Sequence, residues 1–435
     1  MRNIAMDRFW LAGFFFFCCS AAVAAQALPD SALVVNEIVL VGNETTKDYV
    51  ILREMSIKVG GPLTAELIDH DKNRIYGLGL FNRVDIDYTS EGNEATVFVR
   101  VSERWYIFPV PVIGFKYRDI KKLYYGLGII HQNFRGRNEK VVASFALGFD
   151  RWVSLSYQNP KITADDIFFA GKASYSHVQN LNVNQGLYNQ RVSALSTTLG
   201  KRFGLYTTVL GSFGYDRWNI TDPLEGRTAS RTGTDEFFSI GFRYLHDTRD
   251  VWEYATKGEV LSLSVTKFGM GKSEVDLLRY KIDLRGYRPF DGGPSFCARA
   301  FGSFLGGGVA PPYLHTYFGY DERLRGYFNT VFEGEHRVGS SVEVRIPVLT
   351  PRYLQLSTAY LPPEFSVWRY GLYIGLFADV GKIWYRTESF SHMPWRSGYG
   401  AGLHFLLPYS IVVRTEYALN NKGRGDFVLD FGASF

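Results

Sequence analysis

The feature that most limits the possible folds is an alternation of apolar and polar residues that repeats along most of the chain. From Tyr106 to Phe435, about sixteen short segments of this kind follow one another. In Leu278–Arg285, for example, every second residue is charged. Successive side chains of a β-strand point to opposite faces, so each segment would have one apolar and one polar face. The pattern predicts a large antiparallel sheet.

Two folds suit such strands. A soluble sandwich buries the apolar faces in a core, whereas a transmembrane barrel turns them to lipid and keeps the polar faces in its lumen. The number of strands, the aromatic residues near strand ends and the N-terminal segment favour the barrel. The 435 residues are 16% aromatic and have a mean hydropathy of -0.09. That average is too low for a helical membrane protein but suits strands of mixed polarity.

The first 27 residues are typical of a cleaved signal peptide. Two arginines precede the apolar run Phe9–Cys19, and small residues follow, so cleavage is expected after Ala25 or Ala27. An uncleaved anchor is the alternative, although the run is shorter than the roughly 20 residues that a membrane span requires. Cleavage would leave Cys297 as the last cysteine, so neither a disulfide framework nor a zinc site is expected. A secreted chain without a spanning helix crosses a bilayer as a closed barrel.

Residues 28–104 have a different pattern and are expected to form a separate small domain. Val34–Val41 is typical of a strand, and Thr45 and Thr64 are candidate N-caps of two short helices. Two alternating segments flank Glu91–Asn93 and predict a hairpin. The order is therefore βααββ. No phosphate-binding loop is recognisable, and the net charge of +5 is mild and dispersed, so neither a cofactor nor a nucleic-acid partner is expected.

Three residues late in the chain are candidates for a charge cluster. Arg325 lies in a loop, and Glu343 and Asp379 lie in two strand-like segments that follow it. In both segments the acid is on the face opposite an aliphatic stripe. If the stripe faces lipid, both acids face the lumen, where the fork of an arginine can bridge two carboxylates. Such a cluster either has a functional role or only stiffens the barrel, and the sequence leaves both open.

The N-terminal segment contains Glu37-Ile38 before Gly42-Asn43, and Gly79-Leu80-Phe81 before Val84. In this pattern it resembles a POTRA domain, a periplasmic module of the BamA/TamA superfamily of outer-membrane assembly proteins (the bacterial surface antigen family) and of two-partner secretion transporters. An unrelated α+β domain is the alternative for this segment alone. The resemblance implies an outer-membrane barrel of about 16 antiparallel strands with its N-terminal domain in the periplasm. The expected division is 1–27 signal peptide, 28–104 POTRA-like domain and 105–435 barrel.

The later motifs resemble the same superfamily. Leu324–Tyr327 matches the Arg-Gly-Phe/Tyr tip of its sixth extracellular loop, and Phe377–Gly381 matches the Phe-x-Asp-x-Gly motif of the barrel wall. His246–Asp250, followed by Lys257-Gly258, also resembles a barrel segment of the family. The resemblance implies that the loop folds into the lumen and that Arg325 pairs with Asp379, with Glu343 in the place of a second acid.

Further roles follow from this resemblance. Gly326 would let the loop turn back, and Tyr327 would pack on the lumen wall. The alternating stretch with Phe431, Gly432 and Phe435 resembles the recognition signal of bacterial outer-membrane barrels. Glycine in this strand would weaken a seam between the first and last strands.

The implied function is insertion or translocation of client polypeptides. The POTRA-like domain would capture a client strand by β-augmentation, and the barrel would part between Phe108–Tyr117 and Phe427–Phe435. Expected partners are unfolded outer-membrane or secreted clients, the lipid bilayer, and periplasmic or lipoprotein accessory factors. Family members usually carry several POTRA domains, or two and a plug helix. This chain has room for one and no visible plug, which puts recruitment of accessory factors in doubt.

Other functions are possible on the same scaffold. A passive channel would be moderately selective for anions if the cationic residues on the polar strand faces line its lumen. These residues are Arg279, Lys281, Arg285 and Arg414. A transporter similar to those of two-partner secretion is a second alternative. An enzyme is not expected, because His246, Asp247 and Ser262 form no recognisable nucleophile motif.

Overall fold

The computed structural model describes residues 33–116, 119–181, 185–271, 273–320, 322–357 and 361–432. The predicted signal peptide lies outside these residues. The described chain forms a small α+β domain followed by a sixteen-stranded antiparallel sheet that curves into a barrel. The predicted fold class is confirmed. Neither α-helix in the described residues is long and apolar enough to cross a membrane.

The N-terminal domain contains four strands and two helices. They are β1 (Leu33–Val41), α1 (Asp48–Leu52), β2 (Pro62–Leu63), α2 (Ala65–Gly77), β3 (Phe81–Glu91) and β4 (Glu94–Glu103). The sheet order is β2-β1-β4-β3, with β1 parallel to β4 and the other pairs antiparallel. The short β2 is an addition to the predicted βααββ order.

The two predicted helix caps have different outcomes. The Thr64 hydroxyl accepts a hydrogen bond from the amide of Leu67 at 3.2 Å and caps α2. The cap predicted at Thr45 is wrong, because α1 begins at Asp48 after Lys47. The amides of Thr45 and Thr46 instead donate to the carboxylate of Glu103. That carboxylate anchors the chain between β1 and α1 to the end of β4.

Sixteen strands form the large sheet, and each predicted segment corresponds to one of them. They are β5 (Ile107–Phe115), β6 (Leu123–Phe134), β7 (Glu139–Gly148), β8 (Arg151–Asn159), β9 (Ile167–Gln179), β10 (Asn189–Phe203), β11 (Thr207–Ile220), β12 (Thr234–Asp247), β13 (Gly258–Phe268), β14 (Leu277–Pro289), β15 (Ser295–Gly307), β18 (His336–Gln355), β19 (Val367–Trp384), β20 (Arg396–Leu407), β21 (Ile411–Asn420) and β22 (Gly425–Phe431). A hairpin of β16 (Thr316–Phe318) and β17 (Phe332–Gly334) lies in the loop between β15 and β18.

Strands that follow one another along the barrel are hydrogen-bonded neighbours, and β15 pairs with β18 across the hairpin loop. The order runs from β5 to β22. Between these two end strands, no ladder joins the residues that the structure describes. We call the gap between β5 and β22 the seam. The end strands have 9 and 7 residues, whereas β18 and β19 have 20 and 18.

The strand faces alternate in exposure. Val342 is 39% exposed and the adjacent Glu343 is 1% exposed; Leu376 is 45% exposed and the adjacent Phe377 is 5% exposed. The aliphatic stripes of β18 and β19 therefore lie on the outside of the barrel, and their charged and aromatic residues face the lumen.

Candidate functional site: a charge cluster in the barrel lumen

The loop between β15 and β18 folds inward and places Arg325 inside the barrel. Gly326 has φ +89°, a left-handed conformation that favours glycine, and its carbonyl accepts from the Asn420 side chain at 2.9 Å. Gly398 of β20 provides space for the loop. A Cβ at this position would lie 1.7 Å from the Arg325 carbonyl oxygen. The loop tip and the wall therefore fit only because one residue on each side lacks a side chain.

Arg325 is 6% exposed and contacts three carboxylates. Its Nε and Nη2 donate to the two oxygens of Asp379 at 2.8 and 2.7 Å, and its backbone amide donates to the same group at 3.0 Å. Its Nη1 donates to Glu343 at 2.6 Å and to Glu416 at 3.2 Å. The structure thus brings together Arg325, Glu343 and Asp379. We call these three residues and Glu416 the loop lock.

Aromatic residues surround the loop lock. The Arg325 guanidinium lies 3.7 Å from the ring centroid of Phe377, which places a cation against an aromatic face. Tyr327 is buried with Phe318 and Leu324 of the same loop, and its ring lies 5.5 Å from that of Phe332. Its hydroxyl donates to the Asn421 side chain. Tyr327 therefore fastens the loop at the end of β21.

A second layer of buried polar residues extends the loop lock. Arg345 donates to Glu343 at 2.7 Å, and His404 lies 3.1 Å from Glu416. The Tyr254 hydroxyl is 2.8 Å from His404 Nδ1, and the Arg345 guanidinium lies 4.2 Å from the Tyr254 ring centroid. These residues orient the carboxylates that hold Arg325. Sequence reasoning did not assign Glu416, His404 or Tyr254 to the site. The alternation of Ile411–Tyr417, which puts Glu416 on the same face as Arg414, is the signal that could have found Glu416.

Glu343, His404 and Glu416 have the chemistry of a metal site, because their ligand atoms lie within 4.8 Å of one another. The guanidinium of Arg325, however, already contacts both carboxylates. A divalent cation here would place two positive charges against that guanidinium. The cluster is better described as an internally compensated ion network.

Tyr254 reaches the lumen from the connection between β12 and β13, at the POTRA end of the barrel. Val251 of the same connection packs in the hydrophobic core of the N-terminal domain, beside residues such as Ile51 and Phe81. The Ala255 carbonyl accepts from Arg345 at 2.7 Å. This connection, part of the motif noted in the sequence, therefore contacts both the N-terminal domain and the second layer of the loop lock.

Ion pairs also attach the N-terminal domain to the barrel rim. Glu54 accepts from Arg202 at the end of β10 at 2.8 Å and from Arg74 of α2 at 2.5 Å. Burial alone raises the pKa of Glu54, but the hydrogen bonds and charges of Arg202 and Arg74, with the nearby Arg53, outweigh it and lower that pKa. The carboxylate is thus ionised where it holds the two parts together.

The predicted signal residues lie on or beyond β22. Phe431 is 70% exposed on the outer face and ends the strand. Gly432 has φ +96°, which interrupts the extended conformation; its amide donates to the Val412 carbonyl and its carbonyl accepts from Arg414, each at 2.7 Å. Among the described residues, the strand therefore ends at Phe431. Phe435 lies outside the described residues.

A domain of the POTRA type, a sixteen-stranded barrel and an arginine loop held in its lumen together define an outer-membrane barrel protein with a periplasmic module. Comparison with known families agrees: residues 133–435 match the Omp85 superfamily domain, and residues 33–104 match POTRA, the surface antigen variable number repeat. The chain belongs to the Omp85 superfamily. It is a bacterial outer-membrane protein whose POTRA domain lies in the periplasm.

Individual relatives are distant. The outer membrane protein assembly factor BamA of Nitratidesulfovibrio vulgaris is 22% identical over 302 residues, which are 67% of this chain and 37% of that protein. The structure of Haemophilus ducreyi BamA without POTRA domains 1–3 has a TM-score of 0.54 at 18% identity, covering 92% of this chain and 83% of the other. CdiB from Acinetobacter baumannii has a TM-score of 0.50 at 16% identity, covering 92% and 73%. The structural likenesses establish the fold.

Proposed function

We propose that this protein inserts client polypeptides into the outer membrane or moves them across it. The observation that carries the proposal is the seam. A barrel whose function is only to enclose a pore gains stability from a ladder that closes every strand edge. Here the described residues of β5 and β22 share no ladder. Membership of the Omp85 superfamily and similarity to an assembly factor support the same function.

The POTRA domain supplies a place for clients to bind. Its β3 is an edge strand, with β4 on one side in the sheet order β2-β1-β4-β3. An extended client segment would add to this edge through backbone hydrogen bonds. We assign the POTRA domain to residues 28–104 and the barrel to residues 105–435. Periplasmic or lipoprotein accessory factors would bind this domain, and the lipid bilayer receives the client.

The loop lock would hold the strands from β18 to β21 rigid while the seam changes. Arg325, Glu343 and Asp379 join the loop to β18 and β19, and Glu416 joins it to β21. Gly326 and Tyr327 fix the path of the loop. On this side of the seam, movement would then be confined to β22, the strand that follows β21. In this proposal the residues of the loop lock carry no chemical step, and the protein requires no cofactor.

Transport of a secreted partner, as in two-partner secretion, is the second candidate, because the CdiB of Escherichia coli has a TM-score of 0.51 over 96% of this chain and 92% of its own.

A passive anion channel has less support. Arg285 pairs with Asp283 at 2.8 Å, Arg414 pairs with Glu416 and Asp430, and Arg279 donates to the Leu314 carbonyl. These contacts compensate much of the positive charge that would attract anions.

A disulfide across the seam tests the proposal. One cysteine is placed among residues 107–115 and one among residues 425–431, with Cys297→Ala in the background. Insertion of an unfolded client barrel, or its secretion, is measured under oxidising and reducing conditions. We expect loss of activity only when the disulfide is formed.

The matched control is a cysteine pair at Thr197 and Phe213, which lie opposite each other in the β10–β11 ladder. Oxidation there should leave activity unchanged. Full activity with the seam cross-linked would contradict lateral opening and would favour transport through the lumen.

A further inference from the structure

Three basic side chains form a row on the outer face of the barrel. Arg151 of β8 lies opposite His177 of β9, and His177 lies opposite Arg191 of β10. Residues directly opposite each other on neighbouring strands share a face of the sheet. That face is the outer one, because the next residues of the same parity include Val153, which is 52% exposed. We call Arg151, His177 and Arg191 the basic row.

The basic row lies at the end of the barrel away from the POTRA domain. Arg202, near the end of β10, pairs with Glu54 of the POTRA domain, whereas Arg191 lies near the start of the same strand at Asn189. Because the POTRA domain is periplasmic, the start of β10 is extracellular. Tyr175, one step below the row on β9, is 47% exposed, and exposed tyrosines mark the interface between lipid and water on such barrels. The basic row is therefore level with the headgroups of the outer leaflet.

The positive charge of the basic row is not balanced by acids. Among the described residues, neither Arg151 nor Arg191 forms an ion pair, and Arg151 Nη2 lies 3.4 Å from His177 Nδ1. Asp150 is next to the row in the chain, but it is 6% exposed and accepts from Lys116 at 2.7 Å. Cations gathered on neighbouring strands repel one another unless an anion lies among them. The row can therefore bind an anion from outside the chain.

Other cations on the same face and at the same end are compensated. Arg217 of β11 pairs with Glu236 at 3.0 Å, and Lys267 of β13 pairs with Asp276. The extracellular rim therefore does not lack acids in general. The absence of partners among the described residues distinguishes the basic row from its neighbours.

An apolar groove of about 410 Å³ lies directly below the basic row on the outer face. Its floor contains Ala173 of β9 and Ser193 of β10, which are small. Larger side chains flank them, with Leu155 of β8 on one side and Leu195 and Tyr215 on the other. Two residues along a strand cover about 7 Å, so this groove begins below the headgroups and lies in the acyl region.

We propose that this face binds a phosphorylated glycolipid of the outer leaflet, with its phosphates on the basic row and an acyl chain in the groove. Arginine forms paired hydrogen bonds with phosphate, and lipid headgroups are bound by basic clusters at the membrane surface. A neutral His177 whose Nδ1 accepts from Arg151 keeps its Nε2–H as a further donor. Arg151 and Arg191 are two strands apart, roughly 10 Å, so both side chains reach the same headgroup.

The first test measures how much lipid the protein retains. The full protein in detergent is mixed with lipid A, the diphosphorylated anchor of lipopolysaccharide, and bound lipid is counted by native mass spectrometry. We expect the double variant Arg151→Gln, Arg191→Gln to retain several-fold less lipid A than the wild type. Lys267→Gln is the matched control and should retain as much as the wild type, because Lys267 is already paired with Asp276.

Two further arms separate charge from folding and lipid from free phosphate. The double variant Arg151→Lys, Arg191→Lys keeps the charge and should keep most of the retention. Dephosphorylated lipid A should be retained several-fold less than lipid A, and equimolar inorganic phosphate should displace little lipid A because it has no chain for the groove. Unchanged retention in the glutamine variant, equal retention of the dephosphorylated form, or full displacement by inorganic phosphate would overturn the proposal. A glutamine variant that changed only the oligomeric state would instead assign this face to a second copy of the chain.

The second test locates the lipid on the barrel. A photoreactive residue replaces Ser193 in the groove or Ala401 on β20, in protein held in phosphatidylcholine vesicles that contain lipid A. Ala401 lies opposite Leu376, which is 45% exposed, so it is also on the outer face. We expect several-fold more cross-linking to lipid A at Ser193 than at Ala401, and equal cross-linking once Arg151 and Arg191 are replaced by glutamine. Equal cross-linking in the wild type would overturn the proposal.

These outcomes are independent of the proposed function. A protein that retains lipid A at this face but does not insert or move clients contradicts only the proposed function. A protein that handles clients but retains no lipid A contradicts only the lipid site.

Discussion

Two regions of this barrel are built from the same kind of alternating strand but are held together to different extents. In β18 and β19, strands of 20 and 18 residues are paired along most of their length and carry two of the three acids that hold Arg325. At the seam, strands of 9 and 7 residues face each other without a ladder among the described residues, and one of them contains two prolines. Alternation fixes which face meets lipid on both sides, but it does not decide how strongly a strand is held.

The difference shows where the stability of the barrel is concentrated. A buried arginine with three carboxylates depends on all its partners, because removing one leaves uncompensated charge. The seam has no comparable polar cluster between β5 and β22 in the part of the chain that the structure describes. The predictions below therefore begin at the loop lock, where the largest effect is expected, and proceed to contacts that couple it to the periplasmic domain.

The Arg325→Ala variant should destabilise the barrel most. It leaves Glu343, Asp379 and Glu416 buried without the cation that they share. Breaking a buried ion pair in this way costs about 3–5 kcal/mol. The measurement is the free energy of unfolding in urea, followed by tryptophan fluorescence in lipid vesicles. Arg325→Lys should recover part of the loss, because it keeps the charge but not the paired hydrogen bonds to Asp379.

Arg323→Ala is the matched control. Arg323 lies two residues away on the same loop, but its side chain is 40% exposed and reaches Asp430 only at 4.0 Å. An exposed pair of this kind contributes about 1 kcal/mol or less. If Arg325→Ala cost no more than Arg323→Ala, the contrast between a tightly held wall and a loose seam would be wrong.

The sequence predicted this contrast only in part. Parity placed Glu343 and Asp379 on the lumen face, and the resemblance to a known loop motif supplied Arg325. Glu416 is one of several acids in alternating strands, and nothing in its spacing shows which of them the arginine meets. Tyr254 lies in a connection between strands, and local pattern does not reveal that such a segment folds inward.

The Glu54→Gln variant should loosen the POTRA domain from the barrel. The carboxylate is 6% exposed and accepts from Arg202 and Arg74. Loss of hydrogen bonds to charged groups costs about 1.5–3 kcal/mol. We expect faster hydrogen exchange in α2 and in the turn between β10 and β11, with the residues of β18 and β19 around the loop lock unchanged. Glu91→Gln, in an exposed hairpin, is the control and should leave exchange unchanged.

Acidification should reproduce this effect. The pKa of Glu54 is lowered in the docked state, so docking is strongest above the ordinary glutamate pKa of about 4.3 and weakens as the pH falls below that value and through the lowered pKa. Arg202, Arg74 and Arg53 face the carboxylate and keep their charge over this range. Glu54→Gln should remove most of the pH dependence of exchange at the docking interface. A variant that retains it would assign the effect to another group.

The smallest effect is expected for Tyr254→Phe, which tests whether the POTRA end of the barrel contacts the loop lock in a way that matters. The substitution keeps the ring against Arg345 and removes one hydrogen bond to His404. The net contribution of a typical hydrogen bond is about 0.5–1.5 kcal/mol, and the loss is expected near the upper end because the buried Nδ1 of His404 loses its partner. Unfolding in urea should detect this change. Tyr280→Phe, on the outer face and 50% exposed, should be neutral.

In the Arg325→Ala background, Tyr254→Phe should lower the free energy of unfolding by less than it does in the wild type, because the carboxylates that His404 and Arg345 orient no longer hold the loop. If the effects of the two substitutions on the free energy of unfolding were fully additive, the two layers would act independently.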